Sequence, residues 1–144
     1  MGVKQISVFL ENRPGMMAGM TEVLAKNQID MRALSLAETS EFGIVRIIVD
    51  DVYAATTVLK DEGFVLNLTE VLCVAIPDSP GGLNRVVQIM SEAGINVEYM
   101  YAFLGGKDAE HAYMIFKVED VAAAKRALAD QRITTVSQEE IARL

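Results

Sequence analysis

The chain has 144 residues, a formal charge of -7 and a pI near 4.7. That excess of carboxylates repels a phosphate backbone or an anionic membrane surface, which sets nucleic acid and membrane aside as partners and leaves small molecules and proteins. No stretch reaches the roughly 18 apolar residues of a membrane span, and no apolar leader follows Lys4, so the expected location is cytoplasmic.

In chain order, residues 5–10 alternate, with Ile6, Val8 and Leu10 in phase, and predict a strand. Met17, Met20 and Leu24 then recur at helical spacing, and the segment ends near Asn27. Residues 31–37 and 44–49 flank a polar turn and predict a hairpin whose second arm is rich in β-branched residues. Asp51 opens a second helix with Val52, Ala55 and Leu59 on one face, Gly63 stops it, and residues 65–68 make a last strand. The order is βαββαβ.

The same order follows again. An offset of 66 maps Pro14 onto Pro80, Leu24 onto Met90 and Asp30 onto Asn96; after the second strand an offset of 69 maps Asp51, Ala55 and Leu59 onto Asp120, Ala124 and Leu128. The difference places extra residues in the turn around Gly105-Gly106. Strands are expected at 72–76, 97–103 and 113–118, with a short one near Ile133. Helices are expected from Leu83 to the stop at Gly94 and from Val121 to Leu128. Ser137 and Glu140 form an S-x-x-E capping box that starts a helical tail. A repeat this complete predicts two domains, 1–69 and 70–144 with the tail. The fold class is α+β: two tandem ferredoxin-like βαββαβ domains, antiparallel sheets with helices on one face. Such small halves are expected to pack together, and no Pro, Gly or Ser-rich linker separates residues 67 and 72, so the sheets are expected to be continuous or tightly apposed. Strand positions apolar on both sides, such as Ile44 and Ile48 against Val45 and Ile47, call for a second sheet over the open face, from this chain or a dimer partner.

Each copy has a Pro-Gly where its first strand runs into its first helix: Asn12-Arg13-Pro14-Gly15 and Asp78-Ser79-Pro80-Gly81-Gly82. A helix start carries unpaired N-H groups and partial positive charge, which suits a carboxylate. Glycine admits a ligand to the backbone, and an oxygen on Asn12 or Asp78 suits an ammonium group. Together these describe a site for a free α-amino acid. The plainer reading stays open: a tight turn, with Asn12 and Asp78 as helix caps.

The run Leu10-Glu11-Asn12-Arg13-Pro14-Gly15-Met16-Met17, followed by a helix and then Ile29-Asp30 entering a strand, resembles the ACT domain, the regulatory module of amino-acid metabolism. It is most similar to the serine-sensing type with the signature HENRPG, while Asp78-Ser79-Pro80-Gly81-Gly82-Leu83 with Ile95-Asn96 resembles the commoner D-x-P-G-x-L form. In that family a ligand lies between paired domains, held by the first loop of one and the start of the second strand of its neighbour. The resemblance therefore implicates Asn12, Arg13, Gly15, Met16 and Met17 with Asp30, and Asp78, Ser79, Gly81, Gly82 and Leu83 with Asn96. Leu10 stands where the signature has histidine and Asp30 where it has asparagine, which argues against serine itself.

Other residues carry little chemistry. Cys73 lies in a strand pattern and is expected as buried filler. His111 has no second histidine or neighbouring cysteine to complete a metal site and is expected to be solvated. Tyr99, Tyr101 and Phe103 alternate as a core or interface face, and no catalytic triad, nucleophile pair or phosphate loop is present. The expected function is thus a sensor or regulatory protein that binds a free L-amino acid at the seam between ACT domains. It is not an enzyme, needs no cofactor or metal, and works as a homodimer or on a partner enzyme of amino-acid metabolism. The rival is a regulatory subunit of an amino-acid biosynthetic enzyme, acting mainly through protein contacts.

Overall fold

The structure, a computed structural model, describes residues 2–103 and 110–144. It divides into two compact units, one of Lys4–Thr69 and one of Glu70–Leu144 together with the chain start through Val3.

In the first unit β1 (Val3–Glu11) pairs antiparallel with β3 (Phe42–Val49), Ile6 opposite Ile47 and Val8 opposite Val45. Residues directly opposite in a ladder share a face, so these side chains project together. Helices α1 (Met16–Lys26) and α2 (Val52–Asp61) close over that face with Met20, Leu24, Ala55 and Leu59. Burying each large aliphatic side chain contributes about 1.5–3 kcal/mol, which outweighs weak local preferences such as the three threonines in α1 and α2. Strand β2 (Met31–Glu38) flanks β3, and β4 (Val65–Pro77) flanks β1.

The second unit repeats the plan. Its ladder pairs β4 with β6 (His111–Val118) and β6 with β5 (Val97–Ala102), both antiparallel, and β7 (Thr135–Val136) pairs with β4. Leu72, Val74, Phe116 and Val118 meet Val86 and Met90 of α3 (Gly82–Glu92) and Leu128 of α4 (Val121–Asp130). A last helix α5 (Gln138–Arg143) starts on the Ser137–Glu140 capping box. Among the described residues no helix is long and apolar enough to cross a membrane.

Three expectations are corrected. The strands expected at 65–68 and 72–76 are one strand, β4, because Thr69, Glu70 and Val71 between them contain no Pro or Gly to break it. The last strand begins at Thr135 rather than near Ile133, because Arg132 turns left-handed (φ 60) and the Ile133 N-H donates to the Leu128 carbonyl at 2.9 Å, closing α4. His111 is half-buried at the start of β6, opposite Pro77. The turn expected at Gly105-Gly106 lies outside the described residues.

Among the described residues the four long helices end the same way. Gln28, Gly63, Gly94 and Arg132 hold positive φ, and the next residue's N-H returns to the last turn of the helix. The face of each sheet away from its helices is buried in part. Gln5 and Ser7 are buried there and joined by a 3.2 Å hydrogen bond from the Gln5 amide, while Cys73 and Ile115 are buried in the second unit. Tyr101 is buried and Tyr99 half-buried, and Phe103 packs on Tyr113 with ring centroids 5.6 Å apart.

Candidate ligand-binding site

The first loop leaves β1 at Glu11 and enters α1 at Gly15, which caps the helix in the left-handed conformation (φ 90). A Cβ added at Gly15 would meet nothing within 4 Å, so the backbone angle rather than crowding requires glycine there. Asn12 does not cap the helix. Its N-H donates to the Glu41 carbonyl at 2.9 Å, and its side-chain amide donates to Glu38 Oε2 and the Thr39 carbonyl, both at 3.1 Å. Asn12 thus staples the loop to the β2–β3 hairpin, and its carbonyl oxygen is the atom left to receive an outside donor. Arg13 pairs with Glu11 at 2.8 Å, but both side chains are about 60% exposed, so the pair adds little stability.

No side chain caps α1 or α3, and neither has an acidic residue in its first turn. By contrast α2 is capped by Asp51, α4 by Asp120 and α5 by Ser137. The two helices that follow the Pro-Gly loops therefore keep their positive ends uncompensated from within.

A cavity of about 250 Å³ opens beside the first loop, lined by Asn12, Arg13, Met16 and Met17 with Leu36 and Glu38. Leu36, Glu38 and Gly43 are contributions that local spacing does not reveal. They lie on the hairpin and reach the loop only through its register, with Leu10 opposite Gly43.

The second loop repeats the backbone and changes the side chains. The Asp78 N-H donates to the Glu110 carbonyl at 2.9 Å, and Gly81 caps α3 at φ 89, again without a side-chain cap. Gly82 is glycine for packing: a Cβ there would fall 2.3 Å from the Pro77 carbonyl oxygen. Leu83 is 37% exposed, and Ser79 closes the turn by accepting at its carbonyl from the Gly82 N-H at 3.1 Å.

Asp30 and Asn96 lie far from the loops of their own units. Along β3, Phe42 faces Glu11 at one end and Val49 faces Met31 at the other. Seven residues at about 3.4 Å each put some 24 Å between the first loop and the start of β2. The second ladder, from His111 opposite Pro77 to Val118 opposite Val97, has the same span. The structure thus gathers Asn12, Arg13, Met16 and Met17 at one cavity but does not bring Asp30 to them, nor Asn96 to Asp78.

Asp30 is itself held. Its carboxylate pairs with Arg32 at 3.2 Å, and its N-H donates to Asp50 Oδ1 at 3.1 Å. Asn96 borders a cavity of about 700 Å³ with Glu98, Lys117, Glu119 and Asp120, where Lys117 pairs with Glu98 at 2.9 Å. Glu98 alternates with Asn96 along the strand and was legible on that ground; Lys117 comes from the neighbouring strand and was not. Among the described residues no cluster of three or more His, Cys, Asp or Glu could hold a metal ion.

The chain is similar over its whole length to protein BT0572 from Bacteroides thetaiotaomicron, at 35% identity and a TM-score of 0.93, covering 98% of that chain. It shares its fold with the regulatory subunit of aspartate kinase from Thermus thermophilus, at 19% identity and a TM-score of 0.67 over 92% of this chain and 94% of that one. The corresponding subunit from Thermus flavus gives 19% identity and 0.57 over 90% and 92%. Comparison with curated proteins gives no match. Residues 1–144 match the family described as the ACT domain pair, and the chain belongs to that family.

Proposed function

We propose that this ACT domain pair is a regulatory sensor of a free amino acid, with residues 1–69 and 70–144 as two ferredoxin-like ACT domains and no catalysis of its own. The ligand is held where the first loop of one ACT unit meets the second-strand start of a neighbouring unit. The observation that carries this reading is the 24 Å span of each sheet, worked from its register. Loop and strand start cannot close on one small molecule within a unit, so a shared site needs two units facing in opposite directions. The ligand carboxylate takes the uncapped helix start, and the Asn12 carbonyl or the Asp78 carboxylate takes the ammonium.

The regulatory role draws on the fold shared with subunits of aspartate kinase that carry that name. Ligand binding at a seam favours one packing of the units over another, and a homodimer or a partner enzyme of amino-acid metabolism in the cytoplasm reads that shift. A thermal-unfolding screen against the twenty amino acids at millimolar concentration tests the proposal. A ligand bound only by the folded state raises stability by about 2.7 kcal/mol at a hundred times its Kd. No rise with any amino acid would sink the sensor and leave a regulatory subunit acting through protein contacts.

A further inference from the structure

The cavity beside the first loop has a definite chemical character. Besides Pro14, four of its lining side chains are apolar: Leu10, Met16, Met17 and Leu36. Leu36 is 53% exposed although it stands opposite buried Val45 in the ladder, which leaves its apolar surface unfilled on the cavity side. Gly43 keeps that space open, since a Cβ there would sit 3.2 Å from Leu36 Cδ1. The two carboxylates among the lining residues are already engaged, Glu11 by Arg13 and Glu38 by Asn12.

We infer that this cavity takes the side chain of an aliphatic or thioether amino acid, of leucine or methionine size, selected by Leu10, Leu36, Met16 and Met17. The inference rests on the proposed amino-acid sensing and names its ligand class. At about 30 Å³ per water, a cavity of about 250 Å³ holds some eight waters. That is below the roughly 300–1,000 Å³ of sites for larger molecules and has room for a side chain of leucine or methionine size. A serine hydroxyl set against these four side chains would lose its water without gaining a partner. Flexible thioethers on two consecutive residues let the wall conform to a branched or an unbranched side chain.

Isothermal titration of the full chain with leucine, methionine, valine, alanine, serine, aspartate and lysine tests the selectivity. Leucine or methionine is expected to bind about ten-fold or more tighter than alanine or serine. Leu36→Ser should weaken that binding about ten-fold and Leu36→Met should restore it, with circular dichroism reporting the fold of each variant. Methyl-labelled methionine spectra of the unmodified protein give a second readout: the Met16 and Met17 signals, assigned by Met16→Leu and Met17→Leu, should move on ligand addition. Tightest binding by serine, aspartate or lysine would overturn the ligand class and leave the sensor standing. Leucine binding that leaves Met16 and Met17 unmoved and ignores Leu36→Ser would place the ligand elsewhere and overturn the inference. Absence of binding by any amino acid would overturn the sensor and this inference together.

Discussion

Replacing Gln28 with glycine should stabilise the protein, and the internal repeat supplies the control. Gln28 holds φ 56 at the end of α1, and its counterpart at the end of α3 is Gly94 with φ 73. Both positions are exposed, and a Cβ built on Gly94 meets nothing within 4 Å, so the backbone alone decides the preference. A left-handed conformation costs an L-residue about 1–2 kcal/mol, while glycine costs about 0.5–1 kcal/mol through the freedom of the unfolded chain. Gln28→Gly should therefore gain about 0.5–1 kcal/mol, which for a chain of this size raises the melting temperature by about 2–4 °C. Gly94→Gln should lose a similar amount, and the double variant should return close to the starting stability. Thermal unfolding followed at 222 nm, with urea titration beside it, reads all three. A fall in stability for Gln28→Gly, or no loss for Gly94→Gln, would refute the claim that these positions are set by backbone angle.

Gly82→Ala should destabilise by about 1–3 kcal/mol in urea titration, because its Cβ would lie 2.3 Å from the Pro77 carbonyl and backbone must shift. Asp51→Ala and Asp120→Ala should each cost about 1 kcal/mol, since each carboxylate accepts a helix-start N-H, at 3.0 and 2.9 Å respectively; Asn at either site should recover most of the loss. Burial, assisted by the charge of Glu140, pushes the Cys73 thiol from 9.0 up to about 12. The folded state then keeps a proton that the unfolded chain sheds, so the stability it contributes is intact below pH 9 and falls as pH rises from 9 toward 12. Cys73→Ala should flatten that alkaline fall, and the native thiol should react with a thiol reagent at pH 8 only at the rate of unfolding.

Local rules made most of the architecture legible. Strand and helix periods identified the faces that carry Ile6, Val8, Leu24 and Leu59, because those side chains do in the fold what their spacing implies. The capping box at Ser137 and the stop at Gly63 depend on neighbours in the chain and are visible for that reason. The fusion of two expected strands into β4 was not, since it depends on the absence of a breaker rather than the presence of a signal. The cavity was half legible. Asn12, Met16 and Met17 lie in one motif, but Leu36 and Glu38 join them through a hairpin register that local spacing does not disclose. Gly82 reads in the sequence as an opening for a ligand, and the fold adds a second reason for glycine there, room for the Pro77 carbonyl, a contact made only by the folded turn.

The two loops share a backbone, and where one opens on Asn12 and the other on Asp78 a single side-chain atom differs, which makes a prediction. Asn12 and Asp78 both donate their N-H across to a hairpin carbonyl at 2.9 Å, but only Asn12 also has a side-chain N-H, which reaches Glu38 and Thr39. A carboxylate at 78 has no proton to donate, so the second loop lacks that staple and offers a charge instead. Asn12→Asp should convert the first loop to the second type, with an added penalty: it sets a carboxylate where an amide stood 3.1 Å from Glu38 Oε2. The tie between loop and hairpin should loosen, and exchange of the backbone amides at positions 12 and 39 should quicken up to about five-fold, the worth of an exposed polar tie of under about 1 kcal/mol. Added salt should screen the repulsion and reduce the effect. Glu38→Gln in the same chain should restore the tie, because glutamine can donate to the new carboxylate. Unchanged exchange in Asn12→Asp would mean that backbone bonds alone hold the loop, and that the contrast between the two copies lies in charge rather than in order.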